Sequence, residues 1–213
     1  MKLDMNSKLV MIGDSITDCG RAHPVGEASF SGLGNGYVAL VDAMLNTEYP
    51  EFRVRVVNMG ISGNTVRDLR MRWQKDVIDL NPDWVSLLIG INDVWRQFDH
   101  PLIREIQVLE NEFEETLNEL VGLTKSYVKG ITLMSPFYLE PNKEDPMRNK
   151  MDEYGRIVGQ IANKYNVEFI DTQAVFDEYL KHDYTATLAS DRVHPNLRGH
   201  LLIANAFVRN ITG

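Results

Sequence analysis

The 213-residue chain has 44% apolar and 24% charged residues, an ordinary balance for one globular domain able to bury a core without disulfides or metals. A formal net charge of −8 argues against a general nucleic-acid binder, because phosphate contacts need clustered Lys and Arg. Cys19 is the only cysteine, which excludes an intramolecular disulfide, and no run approaches the ~18 apolar residues of a membrane-spanning helix.

Lys8 to Ile12 is a short apolar run that stops abruptly at Gly13-Asp14-Ser15. It delivers a serine at the carboxyl end of a buried strand, where open α/β sheets bind ligands. The run is too short for a signal peptide and no small-residue cleavage site follows, so a cytoplasmic location is expected. Gly20 to Gly36, with five glycines and Pro24, reads as an irregular loop on the rim of the serine's site. Tyr37 to Asn46 predicts a helix with Val38, Val41, Ala43 and Leu45 on its apolar side, and Pro50 closes that unit.

The β-branched stretch Arg53 to Asn58 predicts a second strand, ended by Gly60 and Gly63. Asn64 or Thr65 can cap the next helix, with Asp68 three residues after Thr65 and Val66, Leu69, Trp73 and Val77 at helical spacing. Trp73 is expected in the core. Trp84 to Ile89 predicts a third strand, ending at Gly90-Ile91-Asn92-Asp93. After a polar loop with His100 and Pro101, a long helix is expected from Ile103 to Tyr127, its apolar face including Ile106, Leu109, Phe113 and Leu117. The acidic cluster Glu110, Glu112, Glu114 and Glu115 reads as its solvated side.

Gly130 to Met134 predicts a fourth strand, Pro136 to Pro146 a turn-rich excursion, Met147 to Tyr165 a helix and Val167 to Ile170 a fifth strand. A helix from Asp171 or Thr172 to about His182 follows. Pro195, placed at a first helical position, opens the last helix, with Leu197, Leu201, Ala204 and Val208 at helical spacing. The alternation predicts a single α/β domain over residues 1–213 with a central parallel sheet of five strands, in an order the pattern leaves open.

Four polar or glycine signals thus fall at strand ends or before the last helix, where a parallel sheet directs its connections to one edge. Ser15 needs a base, and His194 is the candidate because Asp191, three residues earlier, can bond one imidazole nitrogen and leave the other for the serine. The oxyanion formed by serine attack on a carbonyl needs donors. Gly60 can bring a backbone N–H close, Asn92 can add a side-chain amide, and Ser15's own N–H is a third. Trp95 and Arg96, just beyond Asn92, are candidates to line an acyl or sugar pocket.

Gly13-Asp14-Ser15, Gly60 within Asn58 to Thr65, Gly90-Ile91-Asn92-Asp93 and Asp191-Arg192-Val193-His194 resemble, in order, the four sequence blocks of the GDSL/SGNH hydrolases. The resemblance covers nearly the whole chain. It implies a flavodoxin-like three-layer α/β/α fold, Ser15 as nucleophile, His194 and Asp191 as base and orienting acid, and Ser15, Gly60 and Asn92 as oxyanion donors. Gly13 to Arg21, Arg53 to Leu69, Pro82 to Phe98, Asp145 to Arg148 and Asp191 to Pro195 look like the family's carbohydrate-active acetyl esterases, particularly bacterial acetylxylan esterases without a secretion signal. That implies an acetylated oligosaccharide as substrate, with no cofactor, metal, nucleic acid or membrane partner. A homo-oligomer is compatible with the length, though no residue specifies one. The family also includes thioesterases, lysophospholipases and arylesterases.

The standard α/β-hydrolase elbow, Gly-x-Ser-x-Gly, fails here at its last position in both nearest stretches, Gly60 to Asn64 and Gly13 to Thr17. A metal-dependent phosphoesterase could use Asp14, Asn92, Asp93 and His194 as ligands, but it leaves Gly60 and the Asp191 to His194 spacing unexplained. A non-catalytic sugar-binding protein is expected to lose a triad member, and this chain keeps all of them.

Overall fold

The computed structural model describes residues 1–27 and 31–213, so part of the expected Gly20 to Gly36 loop, positions 28–30, lies outside the described residues. Five strands, β1 (Lys8–Gly13), β2 (Arg55–Asn58), β3 (Trp84–Leu88), β4 (Gly130–Met134) and β5 (Glu168–Ile170), pair in parallel in the order β2-β1-β3-β4-β5. This is the flavodoxin-like order, which reverses direction between β1 and β3 and opens a crevice at their carboxyl ends. Gly13 pairs with Leu88 there, so the chain leaves both central strands at one rim.

The central strands are covered on both faces, which is why they read as continuous apolar runs. Leu9, Val10, Met11 and Ile12 have no exposed surface. Burying each such side chain contributes about 1.5–3 kcal/mol relative to leaving it in water. The helices are α1 (Ser15–Asp18), α2 (Tyr37–Glu48), α3 (Val66–Asp76), α4 (Ile91–Asp99), α5 (Glu110–Lys125), α6 (Pro146–Tyr165), α7 (Thr172–Tyr179) and α8 (Leu197–Thr212). α2 packs on α8, whereas α3 packs on α5 and α5 on α6, giving the expected layers on either side of the sheet.

Several boundaries differ from expectation for identifiable reasons. Ser15 is the first residue of a short helix that the sequence did not indicate, α1, whose N-cap is Asp14, with the Asp14 carboxyl accepting from Ile16 N–H at 3.0 Å. β2 begins at Arg55, because Arg53 adopts a left-handed φ of 49° after a 3-10 turn. The helix expected from Ile103 begins only at Glu110. Before it, the Arg67 guanidinium binds the carbonyls of Glu105 and Gln107, which removes them from helical bonding. Ile106 and Leu109, placed on that helix's apolar face, are exposed, as is Ile103 at its expected start. The acidic cluster does lie on the solvated side, where two of its glutamates also form ion pairs, Glu112 with Arg67 at 2.6 Å and Glu110 with Lys150.

α4 stands where a polar loop was expected, initiated by Gly90 at φ 130°, a conformation that a side chain disfavours. Pro195 precedes the last helix without joining it. Asn196 is the N-cap and accepts from the N–H groups of Arg198 and Gly199. Thr65 and Asp68 do form a reciprocal capping box on α3, and Trp73 is buried with its indole N–H on Thr124 Oγ1 at 2.9 Å.

Candidate active site

β1 ends at the crevice, and the first turn of α1 lifts Ser15 out of it. Ser15 Oγ lies 2.9 Å from His194 Nε2, although the two are 179 positions apart in the chain. His194 Nδ1 lies 2.6 Å from Asp191 Oδ2, completing a serine–imidazole–carboxylate relay. Such a relay lets the hydroxyl pass its proton to Nε2 as it attacks, while the carboxylate stabilises the imidazolium that forms.

The Asp191 to His194 turn builds itself. Asp191 Oδ1 accepts from Val193 N–H at 3.0 Å and from His194 N–H at 2.8 Å, leaving Oδ2 for the ring. Arg192 takes the left-handed φ of 65° this turn needs. Val193 is buried beneath it. Arg192 is anchored to the 136–146 excursion, its carbonyl accepting from Leu139 N–H at 2.9 Å and its guanidinium pairing with Glu140 at 2.7 Å. Burial pushes the Asp191 carboxyl up, but the bonds from the His194 ring and the two amides outweigh this and hold it below its ordinary value.

The other expected donors come from the neighbouring strand ends. Asn92, in the first turn of α4, is buried and fixes its side-chain amide by donating to Asn64 carbonyl oxygen at 3.0 Å, which leaves its second amide hydrogen. Ser15 N–H sits at the first position of α1, among the donors that a helix leaves without an intrahelical acceptor. Gly60 N–H donates to Asn58 Oδ1 at 2.9 Å. Packing supplies another reason for a glycine here: a Cβ on Gly60 would lie 2.2 Å from Asp18 N, inside the backbone of α1. Trp95 is half-buried with its ring centroid 6.0 Å from that of His194, and the Arg96 guanidinium lies 5.4 Å above the Trp95 ring. Of the two pocket candidates, Trp95 stands beside His194, whereas Arg96 reaches the site only through Trp95 and is paired with Asp99.

Two carboxyl groups lie beneath the site. Asp14 and Asp93 are both buried, each gives Oδ1 to one amide (Ile16 N–H and Val66 N–H), and Oδ2 of each has no hydrogen-bond partner among the described residues. Burial pushes Asp14 up to about 7 and Asp93 up to about 8. A carboxyl raised above its unfolded value of about 3.9 stabilises the fold below that value and loses the contribution as pH rises through the folded one. The melting temperature is therefore expected to fall between about pH 5 and about pH 8 more steeply in the native protein than in Asp93→Asn, whose amide keeps the acceptor for Val66 and cannot ionise. Parallel melting curves would show that Asp93 does not titrate in that range.

The metal-dependent alternative needs these two carboxylates as ligands, yet one oxygen of each already caps a helix. Among the described residues no three His, Cys, Asp or Glu side chains converge to hold a metal ion. Cys19 acquires a partner that its sequence neighbours did not suggest, His200 Nε2 at 3.2 Å. His200 Nδ1 accepts from Tyr37 N–H at 3.2 Å, so Nε2 carries the proton and points it at the sulfur. Burial also pushes the thiol up to about 11 and His200 down to about 4. This pair packs; it does not generate a thiolate.

Three supporting residues escaped the sequence reading. Asn58, wholly buried, donates to the carbonyls of Thr17 at 2.7 Å and Leu33 at 2.8 Å while receiving Gly60 N–H. Asp18 Oδ2 accepts from Ser62 N–H and Oγ at 3.0 and 2.8 Å, and Arg21 Nε donates to Gly60 carbonyl oxygen at 2.6 Å. Their adjacency to the motifs was the available signal; their role exists only in the cross-chain contacts.

Comparison with known proteins agrees with this geometry. An acetylxylan esterase from Geobacillus stearothermophilus is 60% identical over 211 residues, 99% of this chain and 96% of that protein. The crystal structure of Axe2, an acetylxylan esterase from that organism, superposes with a TM-score of 0.99 at 59% identity, covering 100% of this chain and 97% of the other. Structures of Axe2 described as catalytic mutants carry S15A, D191A and H194A. LAE5, an alpha/beta hydrolase enzyme from the metagenome of Lake Arreo, Spain, has a TM-score of 0.98 at 52% identity, covering 99% and 97% of the two chains. With residues 11–202 also matching the family as a whole, the chain belongs to the GDSL-like lipase/acylhydrolase family.

Proposed function

We propose that this protein is a serine esterase that removes acetyl groups from xylo-oligosaccharides or related acetylated sugars through an acetyl-enzyme intermediate. The observation that carries the reading is the continuous Ser15–His194–Asp191 hydrogen-bonded relay at the crevice of the sheet. The full-length likeness to an acetylxylan esterase directs it to acetylated sugars.

In acylation, Ser15 Oγ attacks the acetyl carbonyl carbon as its proton passes to His194 Nε2. The carbonyl π electrons move to oxygen, where Ser15 N–H and the Asn92 amide donate to the negative charge. Gly60 N–H serves as a third donor by sharing its hydrogen between Asn58 Oδ1 and the oxyanion. Collapse breaks the ester C–O bond, and the sugar alkoxide takes the proton from His194. In deacylation a water gives a proton to His194 and attacks the acetyl-enzyme, releasing acetate and returning the proton to Ser15.

The His194 and Asp191 side chains are 46% and 39% exposed, which leaves room for a leaving group still attached to an oligosaccharide. Trp95, beside His194 and under Arg96, is the surface we assign to the sugar ring, since an aromatic face packs against its C–H groups. No helix among the described residues is long and apolar enough to cross a membrane. We infer a cytoplasmic enzyme acting on oligosaccharides.

The test is a comparison of kcat/KM on acetylated xylo-oligosaccharides, acetyl-CoA and long-chain nitrophenyl esters. The sugar acetates are expected to be the best substrates. Preference for a long acyl chain or a thioester would move the assignment to a lysophospholipase or thioesterase.

A further inference from the structure

The nucleophile and the oxyanion donors come from three separate strand ends, and something must hold those ends in register. One side chain touches the backbone of two of them and reaches the third through an intermediary. Arg72, on α3, donates from Nη2 to Gly13 carbonyl oxygen at 3.1 Å, from Nη1 to Met59 carbonyl oxygen at 2.8 Å, and from Nε to Asn64 Oδ1 at 2.8 Å. Gly13 leads into Asp14 and Ser15. Met59 precedes Gly60. Asn64 accepts the Asn92 amide on its backbone oxygen.

We propose that Arg72 is a positioning residue that locks the nucleophile turn, the Gly60 loop and the Asn92 amide into one frame, setting the distance between the attacking oxygen and the oxyanion donors. This rests on the assignment of Ser15 and Asn92 above. The planar guanidinium suits the task because its N–H groups diverge in fixed directions, and a fourth bond to Asp76 Oδ2 at 2.7 Å fixes its rotation. The side chain is only 14% exposed, which limits replacement by solvent of the bonds it makes. A lysine keeps the charge opposite Asp76 but cannot span Asn64, Met59 and Gly13 together.

Gly13 carbonyl oxygen also accepts from Ile61 N–H at 3.1 Å, and Met59 N–H donates to Met11 carbonyl oxygen at 2.8 Å. The loop therefore stays hung on β1 when Arg72 is replaced. What is lost is the register of its donors, and a misplacement of about 1 Å costs on the order of 10²-fold in rate.

Steady-state kinetics on a small acetyl ester, run with melting curves on Arg72→Met, Arg72→Lys, Asn92→Ala and the Arg72→Met/Asn92→Ala double variant, test this. Arg72→Met and Arg72→Lys are both expected to lower kcat by roughly 10- to 100-fold with KM nearly unchanged. Asn92→Ala is expected to lower it by about 10²- to 10³-fold. Because both positions act on one oxyanion, the double variant should lose much less than the product of the single losses. A merely structural role predicts losses that multiply, or that track the fraction unfolded. Either of those results, a change confined to KM, or kcat in Arg72→Lys within about threefold of native would overturn the proposal. If Arg72→Met does not fold, Arg72→Lys and its Asn92→Ala double carry the same cycle. Ser15→Ala is assayed alongside: turnover surviving there rejects the nucleophile assignment, while an unaffected Asn92→Ala rejects only the donor assignment.

Discussion

Replacing Ser15 by alanine is expected to abolish turnover while leaving the melting temperature in place. The hydroxyl's hydrogen bond is to His194 Nε2, at 2.9 Å, so no other element among the described residues depends on it. α1 keeps its cap, because Asp14 Oδ1 still accepts from Ile16 N–H, and alanine is a good helix former at its first position. His194 remains oriented by Asp191 at 2.6 Å. Loss of an equivalent nucleophile in a serine hydrolase lowers kcat by about 10⁶-fold, because base and carboxylate have nothing left to activate. Active-site titration with a small organophosphate, followed by intact-mass measurement, checks the same point: the native chain should gain one adduct and the variant none. Turnover within about tenfold of native would remove Ser15 from the mechanism.

The chemistry of the site was more legible in the sequence than the architecture around it. Ser15, Asn92 and the Asp191 to His194 pair are recognisable because their side chains mark a reaction and their spacing marks strand ends. α4 was illegible for the same reason. Asn92 and Asp93 point inward, toward the site and the cap of α3, so polar residues occupy the face where helical periodicity would show apolar ones. The false helical start at Ile103 is the converse case, in which apolar residues at helical spacing sit on a segment whose carbonyls Arg67 has taken. Gly60 stands out in the sequence as a place for close approach to substrate, whereas what the fold shows there is a lack of room for any side chain against α1. Strand order, the Asn58 and Arg72 networks and the Cys19–His200 pair depend on residues remote in sequence, and no local pattern encodes them.

The site joins an exposed relay to a buried support. His194 and Asp191 stand partly in solvent, while Asp14 and Asp93, one residue from Ser15 and from Asn92 respectively, have almost no exposed surface. Raised carboxyls remain protonated to higher pH than exposed ones, so below about pH 7 neither adds a negative charge beneath the site. Asp191, held below its ordinary value by the bonds it accepts, is the ionised carboxylate beside His194, and its substitution has a more specific consequence than lost charge.

Asp191→Asn is expected to lower kcat on the order of 10²- to 10⁴-fold through the tautomer of His194. The asparagine carbonyl can still accept from the N–H groups of Val193 and His194, now made at 3.0 and 2.8 Å, so the turn persists. Its amide nitrogen then faces His194 Nδ1 and can only donate, which makes Nδ1 an acceptor and places the proton on Nε2. An Nε2–H directed at Ser15 Oγ cannot take the hydroxyl proton. Asp191→Ala removes the acceptors for both amides as well, and is expected to lower the melting temperature along with kcat, whereas Asp191→Asn lowers kcat alone. Kinetics and melting curves on the two variants separate orientation of the imidazole from support of the turn. An Asp191→Asn enzyme within about tenfold of native would mean that the carboxylate does not set the tautomer, and that the Ser15–His194 pair works without it.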